Sequence, residues 1–220
     1  MNLLLRLEQL FAQRFTDLEF LSLQDVDMRC SELGDKVRHA YQPDAIVGIL
    51  DGGQYPSIKL SEQLNLPLYF ISISRPYPLI GQLELDDIFL LKRAFTQLYR
   101  PLPQLLQPFT NDVQDMRVLV VDEDTGTGQT LGLADAVLRE RGAAETRHAT
   151  LFSYVGHFQP HFAQERVRLR PNPFCKFRKR LPWCKYSPHY EAYNAFQRAY
   201  ASPAADSTRC GLQFAHSVSS

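Results

Sequence analysis

The sequence predicts an α/β fold with a parallel core sheet flanked by helices. Three stretches carry that expectation. Ala45-Ile-Val-Gly-Ile-Leu50, Leu68-Tyr-Phe-Ile-Ser-Ile73 and Arg117-Val-Leu-Val-Val121 are short, nearly continuous apolar runs. Runs of that length suit strands buried on both faces. Between the first two, Pro56 to Leu64 offers Ile58, Leu60 and Leu64 for packing, as a helix would. Strand, helix and strand with short joints form a parallel unit whose crossover is right-handed.

The remaining elements follow in chain order. Residues 2–14 read as an amphipathic helix with Leu3, Leu7, Leu10 and Phe11 on one face. Such a helix packs on the domain or a dimer mate in preference to a membrane surface. Ser22 caps a second helix through Val37, with Val26, Leu33 and Val37 on its apolar side. From Arg75 to Asp115 regularity weakens, and Pro76, Pro78, Pro101, Pro103 and Pro108 bracket a helix near Asp86 to Leu98. That stretch is too long for a simple connection; it is an inserted lid or a packed structural excursion. After the strand ending at Val121 comes a loop from Asp122 to Thr127, then a helix from about Gly128 to Arg141 that stops at Gly142. Thr146 to Tyr154 is another strand, and Arg166 to Arg170 alternates as a strand with one solvated face does. Residues 1–200 are expected to form one domain, and the Ser- and Ala-rich residues 201–220 a flexible tail.

The bulk composition excludes more than it assigns. The 220 residues are 45% hydrophobic and 22% charged, ordinary for a globular domain. With 24 basic and 24 acidic side chains there is no net field to favour nucleic acid or an acidic membrane. Arg166 to Lys185 is a local exception, with eight Lys or Arg and no acid, and reads as a solvated edge or an anion contact. Cys30, Cys175, Cys184 and Cys210 contain no CxxC pair, which suits reduced thiols; a hairpin would bring Cys175 and Cys184 together. Arg6 and Glu8 interrupt the apolar start, and no run spans a bilayer, so a cytoplasmic protein is expected.

The chemistry-bearing segment is Val118-Leu-Val-Val-Asp-Glu-Asp-Thr-Gly-Thr-Gly-Gln-Thr-Leu131. Small hydroxyl residues and glycines at a helix N-terminus leave backbone N–H groups open to a phosphate. Asp122 and Glu123 would repel a phosphate they faced, so they are expected to turn toward sugar hydroxyls or a magnesium-bound diphosphate. Gly126-Thr-Gly128-Gln-Thr-Leu-Gly132 narrowly misses the dinucleotide pattern GxGxxG, with one extra residue before the third glycine. No Lys follows the last glycine, which excludes the usual nucleotide-triphosphate loop. A purely structural Gly-Thr turn is the remaining plain reading.

A hydrophobic strand, an acidic pair, a small loop and Thr-Gly-x-Thr resemble the type I phosphoribosyltransferases, nearest in rhythm to the xanthine- and guanine-type purine members. The resemblance implies that Asp122 and Glu123 bind the ribose hydroxyls of phosphoribosyl diphosphate. It also implies that Asp124, Thr125, Gly126, Thr127, Gly128, Gln129 and Thr130 wrap the 5′-phosphate. About seventy residues earlier, Gly52-Gly53 ends a core strand and precedes a helix, as the family's pyrophosphate loop does. Arg180-Leu-Pro-Trp183 is similar to a Pro-Trp motif whose ring lies against the purine; packing in the core is the other reading of Trp183. Two positions depart from the pattern. Asp51 precedes the glycine pair where many relatives carry Arg, Lys or Ser. Gly126 stands where hypoxanthine-guanine enzymes carry an Asp that handles the base proton.

What the resemblance implies is a magnesium-dependent homodimer that transfers a phosphoribosyl group to a purine-like base, with a lid insertion and a C-terminal base-binding segment. Magnesium would meet Asp122 and Glu123 indirectly, through ribose or water. Such a reaction leaves little covalent work to side chains, and positioning and electrostatics dominate. Lys92 and Arg93 on the excursion are placed to close over the site. Two other classes are carried beside this one. The first is a non-catalytic binder of phosphoribosyl diphosphate or a nucleotide with a regulatory role, and the second is a dinucleotide-dependent oxidoreductase.

Overall fold

The structure is a computed structural model that describes residues 19–50, 52–75, 101–168, 179–184 and 187–200. The expected helix at 2–14, Asp51, the 76–100 part of the excursion with Lys92 and Arg93, Cys175 and the tail from 201 lie outside the described residues. The elements are β1 (Glu19–Phe20), α1 (Leu23–Ala40), β2 (Ala45–Leu50), α2 (Gln54–Leu64), β3 (Leu68–Ser74) and β4 (Gln104–Leu105). They continue as β5 (Arg117–Thr125), α3 (Gln129–Glu140), β6 (Glu145–Tyr154), β7 (Phe162–Val167), β8 (Lys179–Arg180) and α4 (Tyr190–Tyr200).

α1 begins where the sequence places its cap. The Ser22 Oγ accepts from the Asp25 N–H at 3.1 Å, and the Asp25 carboxylate accepts from the Ser22 N–H at 2.8 Å. This reciprocal box satisfies two donors that a helix start otherwise leaves open. Val26, Cys30, Leu33 and Val37 form the buried stripe. Ser22→Ala is expected to remove about 1 kcal/mol of stability. In a chain of this size that lowers the melting midpoint by roughly 2–4 °C, readable by circular dichroism.

The main sheet has six strands in the order β4-β3-β2-β5-β6-β7, with a two-stranded β1-β8 pair beside it. All neighbours in the main sheet run parallel except β4, a two-residue antiparallel edge. From β2 the chain moves one way, through α2 to β3; from β5 it moves the other way, through α3 to β6. Right-handed crossovers that travel in opposite directions place their helices on opposite faces. Accordingly Ile58 and Leu60 of α2 pack with Ile46, Leu119 and Val121, while Leu131, Ala134 and Leu138 of α3 pack with Val47, Ile49, Val118 and Val120. Alternate residues of β5 thus feed two cores, which is why its run is continuously apolar.

Three expected boundaries are corrected. β5 extends to Thr125 instead of ending at Val121, because Asp124 pairs with Phe152 and Thr125 with Ser153 on β6. The loop after it therefore shrinks to Gly126–Gly128. The strand expected over 166–170 occupies Phe162–Val167, where its register with β6 begins at Ala149. α3 starts at Gln129, with Gly128 outside it as a left-handed cap at φ 75°. Among the described residues, no helix is long and apolar enough to cross a membrane.

Candidate functional site

The chain diverges between β2 and β5, which makes the carboxyl ends of these two strands the topological switch point, the usual ligand position in open parallel sheets. The Gly52–Gly53 turn rises from β2 and the acidic end of β5 lies beside it. Each is followed directly by a helix, α2 or α3, so two helix N-termini meet the same edge.

The fit between the two strand ends is close. A Cβ on Gly53 would lie 2.6 Å from the Ile49 and Val121 carbonyl oxygens and 3.0 Å from the Asp122 Cα. A Cβ on Gly52 would lie 2.3–2.6 Å from the Glu123 carboxyl atoms. Gly53 is therefore required by close approach to backbone, while Gly52 lies against the Glu123 side chain, and the pair brings the expected pyrophosphate turn against the expected ribose acids.

Asp122, Glu123 and Asp124 are each half-buried and each held differently. The Asp122 Oδ1 accepts from the Glu123 N–H at 2.8 Å. Burial first, then the charges of Glu123 and Asp124, raise the Asp122 pKa well above the ordinary carboxylate value. Glu123 accepts a short hydrogen bond from the Trp183 indole N–H. The indole itself leans on Tyr55 and Tyr193, with ring centroids 5.9 and 5.5 Å away. Asp124 accepts from the Tyr154 hydroxyl at 2.7 Å. Burial raises the Asp124 pKa, against the lowering influence of Tyr154 and Arg180. Glu123 and Asp124 thus receive donors from two distant segments, while Asp122 is held by its own neighbour's backbone.

Beyond them, Thr125 is buried, and an added Cβ on Gly126 would meet nothing within 4 Å. Space alone does not demand glycine there. Thr127 is exposed at the tip of the turn. Gln129 and Thr130 open α3, where Arg75 reaches them from the end of β3. The Arg75 Nη1 donates to the Gln129 Oε1 at 3.1 Å and to the Pro101 carbonyl at 2.7 Å, and its Nη2 lies 3.5 Å from the Thr130 Oγ1.

All the described candidate residues therefore gather at one edge: Gly52, Gly53, Asp122 to Thr130 and Trp183. The sequence reading missed Arg75, Tyr154 and Phe158. Arg75 and Tyr154 carried a usable signal, since each stands at the carboxyl end of an expected strand, where sites of this architecture collect. Phe158 carried none, because only the fold places its loop beside Gly128. Among the described residues, no group of three or more His, Cys, Asp or Glu is arranged to hold a metal ion.

Comparisons with known proteins bear on the family and the fold. A family model described as the phosphoribosyl transferase domain matches residues 20–161. No curated protein matches the chain significantly. Among solved structures, the chain is similar to a purine phosphoribosyltransferase from Pyrococcus horikoshii Ot3, at 26% identity and a TM-score of 0.57, covering 76% of this chain and 94% of that one. A hypothetical protein from Neisseria gonorrhoeae with bound ppGpp shares the fold at 18% identity and a TM-score of 0.57, covering 81% and 94%. A Helicobacter pylori xanthine-guanine-hypoxanthine phosphoribosyltransferase shares it at 17% identity and a TM-score of 0.53, covering 81% and 98%.

Proposed function

The chain belongs to the phosphoribosyl transferase domain family, and from that membership we propose that it transfers the 5-phosphoribosyl group of phosphoribosyl diphosphate to a purine-like base with release of pyrophosphate. The observation that carries the reading is the contact between the Gly52–Gly53 turn and the Asp122–Glu123 pair. A turn suited to a diphosphate and an acidic pair suited to ribose hydroxyls lie side by side at the switch point, which supports one phosphoribosyl diphosphate molecule bridging them.

The assignment of roles follows the chemistry of each group. Backbone N–H groups of Thr127 to Thr130 at the start of α3 receive the 5′-phosphate. Arg75 adds a fixed guanidinium beside them, suited to phosphate oxygens. Asp122 and Glu123 accept from the ribose hydroxyls, and the glycine turn with the α2 N-terminus receives the diphosphate. In the transfer, the bond from ribose C1 to the diphosphate oxygen breaks with its electron pair on the diphosphate. A base nitrogen donates the new bond to C1, and the N–H bond of that nitrogen breaks with its proton passing to water or to the departing diphosphate. Positive charge on the sugar develops near Asp122 and Glu123, which stabilise it electrostatically.

Magnesium suits this donor set in an indirect way. Asp122 and Glu123 would hold a dication indirectly, through ribose or water, and its charge would relieve the crowding that raises the Asp122 pKa. When bound, magnesium would offset the charge growing on the leaving diphosphate. Trp183 is a base-facing candidate whose indole N–H also steadies Glu123, so one side chain would serve acceptor and sugar subsites.

The test is a pyrophosphate-release assay with phosphoribosyl diphosphate, magnesium and a panel of hypoxanthine, guanine, xanthine and adenine. Release with at least one base is expected. Binding of phosphoribosyl diphosphate without release across the panel would overturn catalysis in favour of a regulatory binder.

A further inference from the structure

The turn expected to hold the 5′-phosphate is short, glycine-rich and without an apolar anchor of its own. Gly126-Thr127-Gly128 joins β5 to α3, and an unsupported glycine turn is among the most mobile pieces of backbone. In this protein its two ends are held by one residue from another loop. The Phe158 N–H donates to the Gly126 carbonyl at 3.2 Å. The Phe158 ring lies against Gly128 so closely that a Cβ there would stand 2.4, 2.6 and 2.8 Å from Cγ, Cδ2 and Cδ1. Gly128 is also in the left-handed region, at φ 75°, so both space and conformation exclude a side chain.

Phe158 is itself well founded. The connection from β6 to β7 is strapped by the Gln159 amide, which donates to the Tyr154 and His157 carbonyls at 3.0 and 3.1 Å. His157 closes a turn on Tyr154 at 3.1 Å. The far end is fixed by His161, whose Nδ1 accepts from the His148 N–H at 3.1 Å. The Phe158 ring also rests on the His148 ring, with centroids 5.7 Å apart. His148 in turn places Nε2 2.9 Å from Asp135 Oδ1 on α3. The same helix whose N-terminus meets the phosphate therefore braces the seat of Phe158. Yet Phe158 is 38% exposed, more than a purely core-filling ring would be.

We propose that Phe158 is a positioning residue for the 5′-phosphate subsite: its backbone and ring clamp the Gly126–Gly128 turn from either end and pre-set its N–H groups for the anion. The proposal rests on the phosphoribosyl reading above and adds a part that lies outside the Asp122–Thr130 segment. A pre-set turn binds more tightly because its ordering is not charged against the ligand. Displacement of such groups by an ångström is worth on the order of a hundredfold.

Two measurements test it. The first needs no ligand: amide hydrogen exchange at Thr127, Gly128 and Gln129 is expected to quicken in Phe158→Ala and to stay near normal in Phe158→Leu. Leucine keeps the branch carbons equivalent to those that meet Gly128. The second is calorimetric binding of ribose 5-phosphate and of magnesium pyrophosphate. Phe158→Ala is expected to weaken ribose 5-phosphate about ten- to hundredfold while pyrophosphate binds as before, and Phe158→Leu is expected to restore most of the loss. Unchanged exchange and unchanged ribose 5-phosphate affinity in Phe158→Ala overturn the clamp. Equal losses for both ligands also overturn it, since they mark a general structural fault. Failure of the unaltered protein to bind ribose 5-phosphate overturns the phosphoribosyl reading instead, whatever the exchange shows.

Discussion

Replacing Asp122 and Glu123 together by Asn and Gln is expected to lower kcat/KM by about 10²–10⁴-fold while the folded protein keeps or gains stability. Each carboxylate would lose a charge-assisted hydrogen bond of roughly 1.5–3 kcal/mol to a ribose hydroxyl, and about 1.4 kcal/mol is tenfold in rate. The stability half of the expectation comes from the titration of Asp122. Its pKa in the folded protein is raised above the ordinary 3.8 by burial and by Glu123 and Asp124. Above the ordinary value an unfolded chain ionises this group freely while the folded chain resists. Its contribution is therefore whole at low pH and declines as pH rises toward the folded pKa. A neutral amide removes that penalty. Steady-state kinetics beside a melting curve at pH 7 read both halves. Activity that survives the double change would show that the pair does not hold the ribose.

Gly53→Ala is expected to produce the largest loss of stability among single changes at the site. The added methyl would meet two carbonyl oxygens at 2.6 Å, one on β2 and one on β5. Both belong to central strands, and neither can give way without shifting the sheet. Overpacking usually costs about 1–3 kcal/mol, and rigid backbone on both sides puts this case at or above the upper end. A fall of the melting midpoint by roughly 6–12 °C follows for a chain of this size. Gly52→Ala makes the contrast, because its methyl would meet only the carboxyl end of Glu123, side-chain atoms that can shift where backbone cannot, at the expense of their bond to Trp183. It should leave the midpoint nearly unchanged and act instead on turnover by displacing Glu123. Equal melting of the two variants would contradict this account of the turn.

The parts legible in the sequence were those governed by local pattern. β2, β3 and the apolar start of β5 announced themselves because burial on both faces requires continuous apolar residues. The Gly52–Gly53 turn and the acidic pair were legible as candidates because small and charged residues stand in fixed order at the ends of two apolar strands. The extension of β5 through Asp122, Glu123 and Asp124 was not, since acids are poor strand formers and only pairing with β6 holds them extended. The β1-β8 pair joins Glu19 to Lys179 across most of the chain, a register no local window contains. α4 was different. Tyr193, Phe196 and Tyr200 recur at helical spacing and pack together with centroids 6.5 and 5.7 Å apart, so that helix was open to detection. For Trp183 the sequence left stacking on a base or packing in the core. The structure shows the ring among aromatics and adds a bond to Glu123 that neither reading contained.

The hydrogen bond from Arg75 to the Pro101 carbonyl, 2.7 Å long, has a meaning for protein engineering. It fastens the exit of β3 to Pro101, so two points 26 residues apart in the chain lie side by side. Closing a segment whose ends already meet adds only slowly to the entropy of folding as its length changes. Replacing residues 76–100 by grafted linkers of differing length is accordingly expected to leave the β3–β4 edge paired, which circular dichroism and a melting curve would read. The guanidinium that reaches Pro101 also touches Gln129 and Thr130, which gives any such graft a direct mechanical line to the mouth of α3.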